Sequence, residues 1–300
     1  MEKLLDRFER FFTAPGSQLP LAVLRIVLGF CMMLEWYRLG PEITNIYGHA
    51  GILQANLMAF STEITLPVLA PLLERIGFSY DQFLHFIVIA KWIFLVAFVS
   101  GIQIRLATIA LWLMQIFLMS SGSFSNYGVD RYFHVLLFLM VFMDVRSRDK
   151  ETRSATFSLR ILQLAILIIY VDAGISKAFG LDWWDGTAIW RSVNLPEFNQ
   201  TNMLWLAAVP WLPKFFGWMT MFLEAFYIVG VWIPIVGPLW TLSIIGMHLG
   251  IAVFLGLSTF GITLALINVA LFLVPPLSTK QSTFRAEEPV FVTSSASSLN

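Results

Sequence analysis

Charge is what this sequence has least of. Only 13% of its 300 residues are Asp, Glu, Lys or Arg, against 58% hydrophobic residues, and the mean hydropathy is +0.76. A water-soluble domain carries about 25% charged residues, so the chain belongs in a bilayer rather than in water. Its 19 basic and 19 acidic residues cancel, which removes the electrostatic case for nucleic acid. With one cysteine, Cys31, no intrachain disulfide can form. Within "LRIVLGFCMMLEW" that residue reads as a small core side chain. The four histidines, His49, His85, His134 and His248, are far apart. They form no HxxxH or HExxH pattern and there is no CxxC, so no metal site is expected. Phosphate-loop and GxSxG motifs are absent as well, and "YGHAG" (Tyr47 to Gly51) reads as a glycine turn. No cleavable signal peptide, soluble domain or internal repeat is evident.

Apolar segments are what the sequence has in quantity. The expected fold class is all-α: a polytopic membrane bundle of about eight transmembrane helices. A bilayer core needs roughly 20 mainly apolar residues per helix. The candidates are residues 19–38, 83–100, 103–120, 130–145, 159–179, 214–235, 239–256 and 258–275, with turns expected at Gly101, at Gly237 and Pro238, and near Gly256. The organisation expected is an amphipathic interfacial helix over 1–18, a transmembrane domain over 19–276 and a disordered cytoplasmic tail over 277–300. In the first segment Leu4, Leu5, Phe8, Phe11 and Phe12 share a face opposite Lys3, Arg7 and Arg10, and Pro15 and Gly16 end it. The abundant Phe (27) and Trp (11) suit rings that anchor helix ends at the interface.

Orientation follows from the basic residues. With the N-terminus inside, one side holds Lys3, Arg7, Arg10, Arg105, Arg146, Arg148, Lys150, Arg153, Arg160, Lys280 and Arg285. The other holds Arg38, Arg75, Arg131, Arg191 and Lys214. Eleven against five predicts both termini in the cytoplasm of a multi-pass cell-membrane protein. The run "RSRDKETR" is then a solvated loop. The long connections 39–82 and 180–213 fall on the outer face, where "LPVLAPLLERIGF" and "WLAAVPWLP" read as interfacial or re-entrant pieces over a cavity.

An ionisable group within hydrocarbon costs about 2.5–3.5 kcal/mol on insertion scales, yet the segments contain Arg25, Glu35, Lys91, Asp130, His134, Asp144, Asp172, Lys177, Glu224 and His248. Bland readings cover several. Asp144 ends a helix, Arg25 and Lys91 are expected to pair with acids on neighbouring helices, and Glu35 with Arg38 one turn on. Asp172 and Lys177 lie five residues apart, a poor intrahelical pair, so each needs an outside partner. Glu224 and His248 are the natural candidates. Gly174 between them would admit a close helix. A lysine taken out of water is a candidate base near neutral pH; a structural ion pair among Asp172, Lys177 and Glu224 is the alternative.

The stretch "YVDAGISKAFGLDWWDG" resembles the membrane domain of vitamin K-dependent γ-glutamyl carboxylase and its bacterial relatives, the HTTM (horizontally transferred transmembrane) proteins. The shared features are Ala173-Gly174, Lys177, Asp182-Trp183 and Asp185-Gly186, with a spacer one residue longer than in the animal carboxylases. Further similarity lies in "YGHAG", in "LLFLMVFMD", in Glu224 and in His248. The resemblance runs over most of residues 19–275, and only the lysine motif is specific.

It implies that Lys177 is the base that deprotonates a reduced vitamin K or menaquinol, with Asp172, Glu224, His248, Trp183 and Trp184 around the cofactor. Oxygen would turn the quinol anion into a stronger base, which would remove a γ-proton from a glutamate of a secreted peptide before CO₂ adds and the quinone leaves as its epoxide. The large lumenal portion that holds the peptide in the carboxylases has no counterpart here, nor does its disulfide. Three readings stay open: a quinol-linked enzyme using Lys177; a non-catalytic lipid- or peptide-binding protein that aids maturation of, or immunity to, a secreted peptide; and a transporter with paired intramembrane charges.

Overall fold

The computed structural model describes residues 2–52, 73, 75–121, 128–146, 151–198 and 201–274. The expected tail over 277–300, most of "LPVLAPLLERIGF" and the middle of "RSRDKETR" lie outside them. Among the described residues there are helices and one isolated bridge, Gly16 to Thr152, but no strand. The helices are α1 (Glu2–Thr13), α2 (Leu19–Leu39), α3 (Ile43–Tyr47), α4 (Tyr80–Ser100), α5 (Ile104–Ser121), α6 (Gly128–Val141), α7 (Arg153–Ala178), α8 (Leu181–Asp185), α9 (Thr187–Asn194), α10 (Trp211–Ala225), α11 (Tyr227–Gly230), α12 (Val236–Phe254) and α13 (Ser258–Asn268). A π-helical turn, Val269–Leu273, follows the last.

Among the described residues four helices are long and apolar enough to cross a membrane: the run Leu19–Tyr47 that α2 opens, α4, α7 and α12. The other four expected segments are shorter helical pieces. Residues 214–235 divide into α10 and α11 at Phe226, whose φ of −100° and ψ of 4° leave the helical region. The turn expected at Gly237 and Pro238 sits earlier, at Ile235, which takes φ 66°. Pro238 instead lies in the first turn of α12, where its missing N–H costs no intrahelical bond. Helix α7 starts at Arg153, six residues before the apolar run, because the Thr152 hydroxyl accepts the Ala155 N–H and caps it.

Side-chain sorting within each span follows helical spacing. On α4, Leu84, Ile87, Lys91, Leu95 and Phe98 are buried, while Phe86, Ile89, Ile93 and Val96 are exposed. Both stripes recur every three or four residues, and in a bilayer the exposed apolar one faces lipid. On α2, Ile26, Phe30 and Leu34 point outward and Leu24, Leu28, Met32 and Trp36 inward. Helix α2 packs on α4 and α13, α5 lies between α4 and α6, α7 packs on α10, and α12 on α13.

The amphipathic first helix packs on α7 through part of its apolar face. Phe11 meets Trp232, Phe12 meets Phe157, and the Arg160 guanidinium lies 4.3 Å from the Phe11 ring centroid. Leu5 and Phe8 stay exposed.

Arg25 does not pair with an acid. Its guanidinium donates to the carbonyls of Phe98, Val99 and Val145, gathering the end of α4 and the segment after α6 around α2. Glu35 and Arg38 do not pair either: Arg38 donates to the Thr259 hydroxyl at 3.2 Å, while Glu35 lines a cavity with Asp130 and keeps Oε2 buried without a partner. Asp144 lies beyond α6, which ends at Val141, and its carboxylate accepts the N–H of Arg146 and pairs with that side chain at 3.8 Å. Cys31 is a buried core residue.

Candidate functional site

Lys177 occupies the last turn of α7, and Glu224 lies one residue from the end of α10. The two helices approach closely at Gly174, where a Cβ would collide with the backbone of Ala225. That contact brings Lys177 Nζ to 2.6 Å from Glu224 Oε2. The carboxylate side chain is 7% exposed and the lysine 22%, so the acid sits inside and the amine at its mouth. A charge-assisted bond of this length in a poorly hydrated setting is strong, and either member alone would be costly to keep.

The amine is not sealed in. Lys177 lines a cleft of about 450 Å³ whose wall includes Tyr132, Ile169, Asp172, Trp183 and Phe260. The Trp183 ring centroid lies 5.3 Å from Nζ, within cation–π range. The volume falls within the range of small-molecule sites, about 300 to 1,000 Å³, and the lining sets the rings of Tyr132, Trp183 and Phe260 beside the charged Arg131, Asp172 and Lys177, with Glu224 reached only through Lys177.

Two expected partners behave differently. Asp172 is exposed at the rim of the cleft and makes no hydrogen bond or ion pair among the described residues. It faces solvent or ligand, so it needs no partner on another helix. His248 bonds neither Asp172 nor Lys177. Its Nε2 meets the Tyr170 hydroxyl at 2.7 Å, while Nδ1 is buried without a partner. Asn268 donates to the same hydroxyl at 2.7 Å, and Tyr227 donates at 3.0 Å toward Asn268 Oδ1 and Thr241. This buried chain lies among α7, α11, α12 and α13. Nothing in the sequence spacing announced it, because its members are 14 to 98 residues apart.

The acids and glycine of the lysine motif have local work. Asp182 pairs with Arg191 at 3.0 Å, tying α8 to α9. Asp185 accepts the Thr187 N–H at 2.8 Å. Bonds from the Thr187 side chain and backbone hold its carboxyl below the usual range. Gly186 takes φ +86° between the two short helices, against the backbone of Lys214. A side chain there would meet both strain and collision. Trp184 turns away from the cleft, donating its indole N–H to the Ala178 carbonyl at 2.8 Å. Of the motif, Ala173, Lys177 and Trp183 line the cleft, while Gly174, Asp182, Asp185 and Gly186 hold the helices around it.

The chain matches no family model, no curated protein and no solved structure. Among the described residues no group of three or more His, Cys, Asp or Glu is placed to hold a metal.

The sequence reading missed a second polar cluster. Lys91, Glu35, Asp130 and Gln115 line another cavity of about 380 Å³. Helix α6 separates it from the Lys177 cleft: Asp130 faces the one, Arg131 and Tyr132 the other. The signal was present, since Lys91 falls on the same helical stripe as Leu84, Ile87, Leu95 and Phe98.

Proposed function

We propose that this is a multi-pass membrane protein, N-terminus inside, whose Lys177–Glu224 pair deprotonates a reduced naphthoquinone of the vitamin K or menaquinol class in an outward-facing cleft. The observation that carries the reading is an ion pair at 2.6 Å whose lysine lines a cleft walled by Tyr132, Trp183 and Phe260. The resemblance of Tyr170–Gly186 to the carboxylase membrane domain supports the choice of substrate.

Residue types fit such a ring. Trp183, Tyr132 and Phe260 offer flat apolar faces, and the ion pair supplies charge where a phenolic proton would leave. The pairing also refines the chemistry. A lysine bonded to a carboxylate acts with it as a unit: Glu224 takes the proton as the O–H bond breaks, and the Lys177 ammonium holds the oxyanion that results. Such stabilisation is worth most where water is excluded.

The test uses purified protein supplied with reduced naphthoquinone and dioxygen, which together yield the quinone epoxide and water. Wild type should form epoxide, and Lys177→Met/Glu224→Gln, which removes both charges together, should lower the rate at least a hundredfold while remaining folded. Equal rates in the two proteins would refute the assignment.

A second reading rests on the rim. Phe179 (86% exposed) and Leu181 (80%) leave an apolar lip beside the cleft, which suits a lipid or a secreted peptide held without chemistry. Epoxide missing from wild type, together with quenching of tryptophan fluorescence by an added peptide or lipid, selects this reading.

A further inference from the structure

The cavity on the far side of α6 is built for a ligand of its own. Lys91 is 1% exposed, and its ammonium lies 4.1 Å from the Trp36 ring centroid. It makes no hydrogen bond or ion pair among the described residues. Gln115, also 1% exposed, donates Nε2 to Asp130 at 2.7 Å and leaves its carbonyl Oε1 buried without a partner. An ammonium with no acceptor and an amide oxygen with no donor are each costly in such a place, and both groups line the same cavity.

Charge narrows the occupant. The carboxyls of Glu35 and Asp130 line the chamber together with Lys91, and Glu35 Oε2 is buried without a hydrogen-bond partner. The inner chamber therefore sets a lysine opposite carboxyl groups. Arg38 and Glu42 repeat that opposition at the mouth. A purely cationic or anionic ligand would meet repulsion at one wall. A neutral ligand that accepts from Lys91 and donates to Gln115 and the carboxyls would satisfy all of them. Leu39, Ile46 and Met119 continue the lining in apolar form.

We propose that this cavity binds a zwitterionic head that joins a primary ammonium to a phosphate. The ammonium donates to Gln115 Oε1 and the carboxyls of Glu35 and Asp130, and the phosphate accepts from Lys91 and Arg38. The head belongs either to an aminophospholipid or to a free phosphoethanolamine-type ester.

Native mass spectrometry of the purified protein in detergent, titrated with short-chain lipids, tests this. Phosphatidylethanolamine should bind at least tenfold more tightly than phosphatidylcholine, whose head keeps both charges but has no N–H to donate. Phosphatidylglycerol, lacking the ammonium, should fall behind as well. Lys91→Met and Gln115→Met should each cost at least tenfold for phosphatidylethanolamine, whereas Lys177→Met/Glu224→Gln should bind like wild type. Competition by free phosphoethanolamine marks the head alone as sufficient; binding of the lipid without such competition assigns the site to the membrane form. Equal affinity for the ethanolamine and choline heads, or unchanged binding in both cavity variants, overturns the proposal. The head-group comparison needs only the wild-type protein, so it decides even where a variant fails to fold.

Discussion

At the scale of single residues, Lys177 and Glu224 set a trap for simple mutagenesis. Removing one member of a buried pair strands the other, at a cost of about 3–5 kcal/mol, whereas removing both can be neutral. Lys177→Met alone should therefore melt well below wild type in detergent, and adding Glu224→Gln should restore most of the loss. A single variant as stable as wild type would show that the pair is too hydrated to behave as buried. Tyr170→Phe should destabilise the protein by about 1–3 kcal/mol, because His248 and Asn268 each lose their shared hydroxyl. Thermal unfolding monitored by tryptophan emission would register it. Lys177, Trp183 and Glu224 were visible as costly or distinctive residues in an apolar chain, and the structure brings them together. Asp182 and Asp185 looked equally distinctive, but their partners Arg191 and Thr187 are local, and a list of residue types cannot separate a charge that builds a turn from one that meets a substrate.

At the scale of elements, helix approach decides whether the site exists. Gly174 is the point where α7 and α10 touch, so Gly174→Ala forces a methyl into the Ala225 backbone. Overpacking of that kind costs about 1–3 kcal/mol. It should also part Lys177 from Glu224, so a lowered melting temperature should accompany reduced quinol turnover. Loss of stability with turnover intact would separate the helix contact from the site. Long apolar helices were legible from composition and run length, and the buried stripe of α4 follows from its three- and four-residue spacing. The breaks were not. Phe226 interrupts the segment 214–235 with no glycine or proline to mark the break, and Ile235 turns the chain where Gly237 and Pro238 carried the stronger signal. In both places tertiary packing overrides local preference, which hydropathy cannot register.

At the scale of the whole molecule, the distribution of basic residues predicts which end of the bundle faces out. Cys31 is the chain's one cysteine, so a Cys31→Ser background allows single reporters to be placed at will. A cysteine at Asp185 should react with a membrane-impermeant maleimide on intact cells, and one at Arg146 only after permeabilisation. The reverse pattern would invert the topology and turn both cavities toward the cytoplasm.

The short helix α6 has chambers on two sides: Asp130 belongs to one, Arg131 and Tyr132 to the other. It spans 14 residues, about 21 Å at 1.5 Å per residue, so any displacement of it would be shared by both chambers. A tilt that widens one chamber narrows its neighbour, so occupants on opposite flanks compete for the position of a shared partition without ever touching.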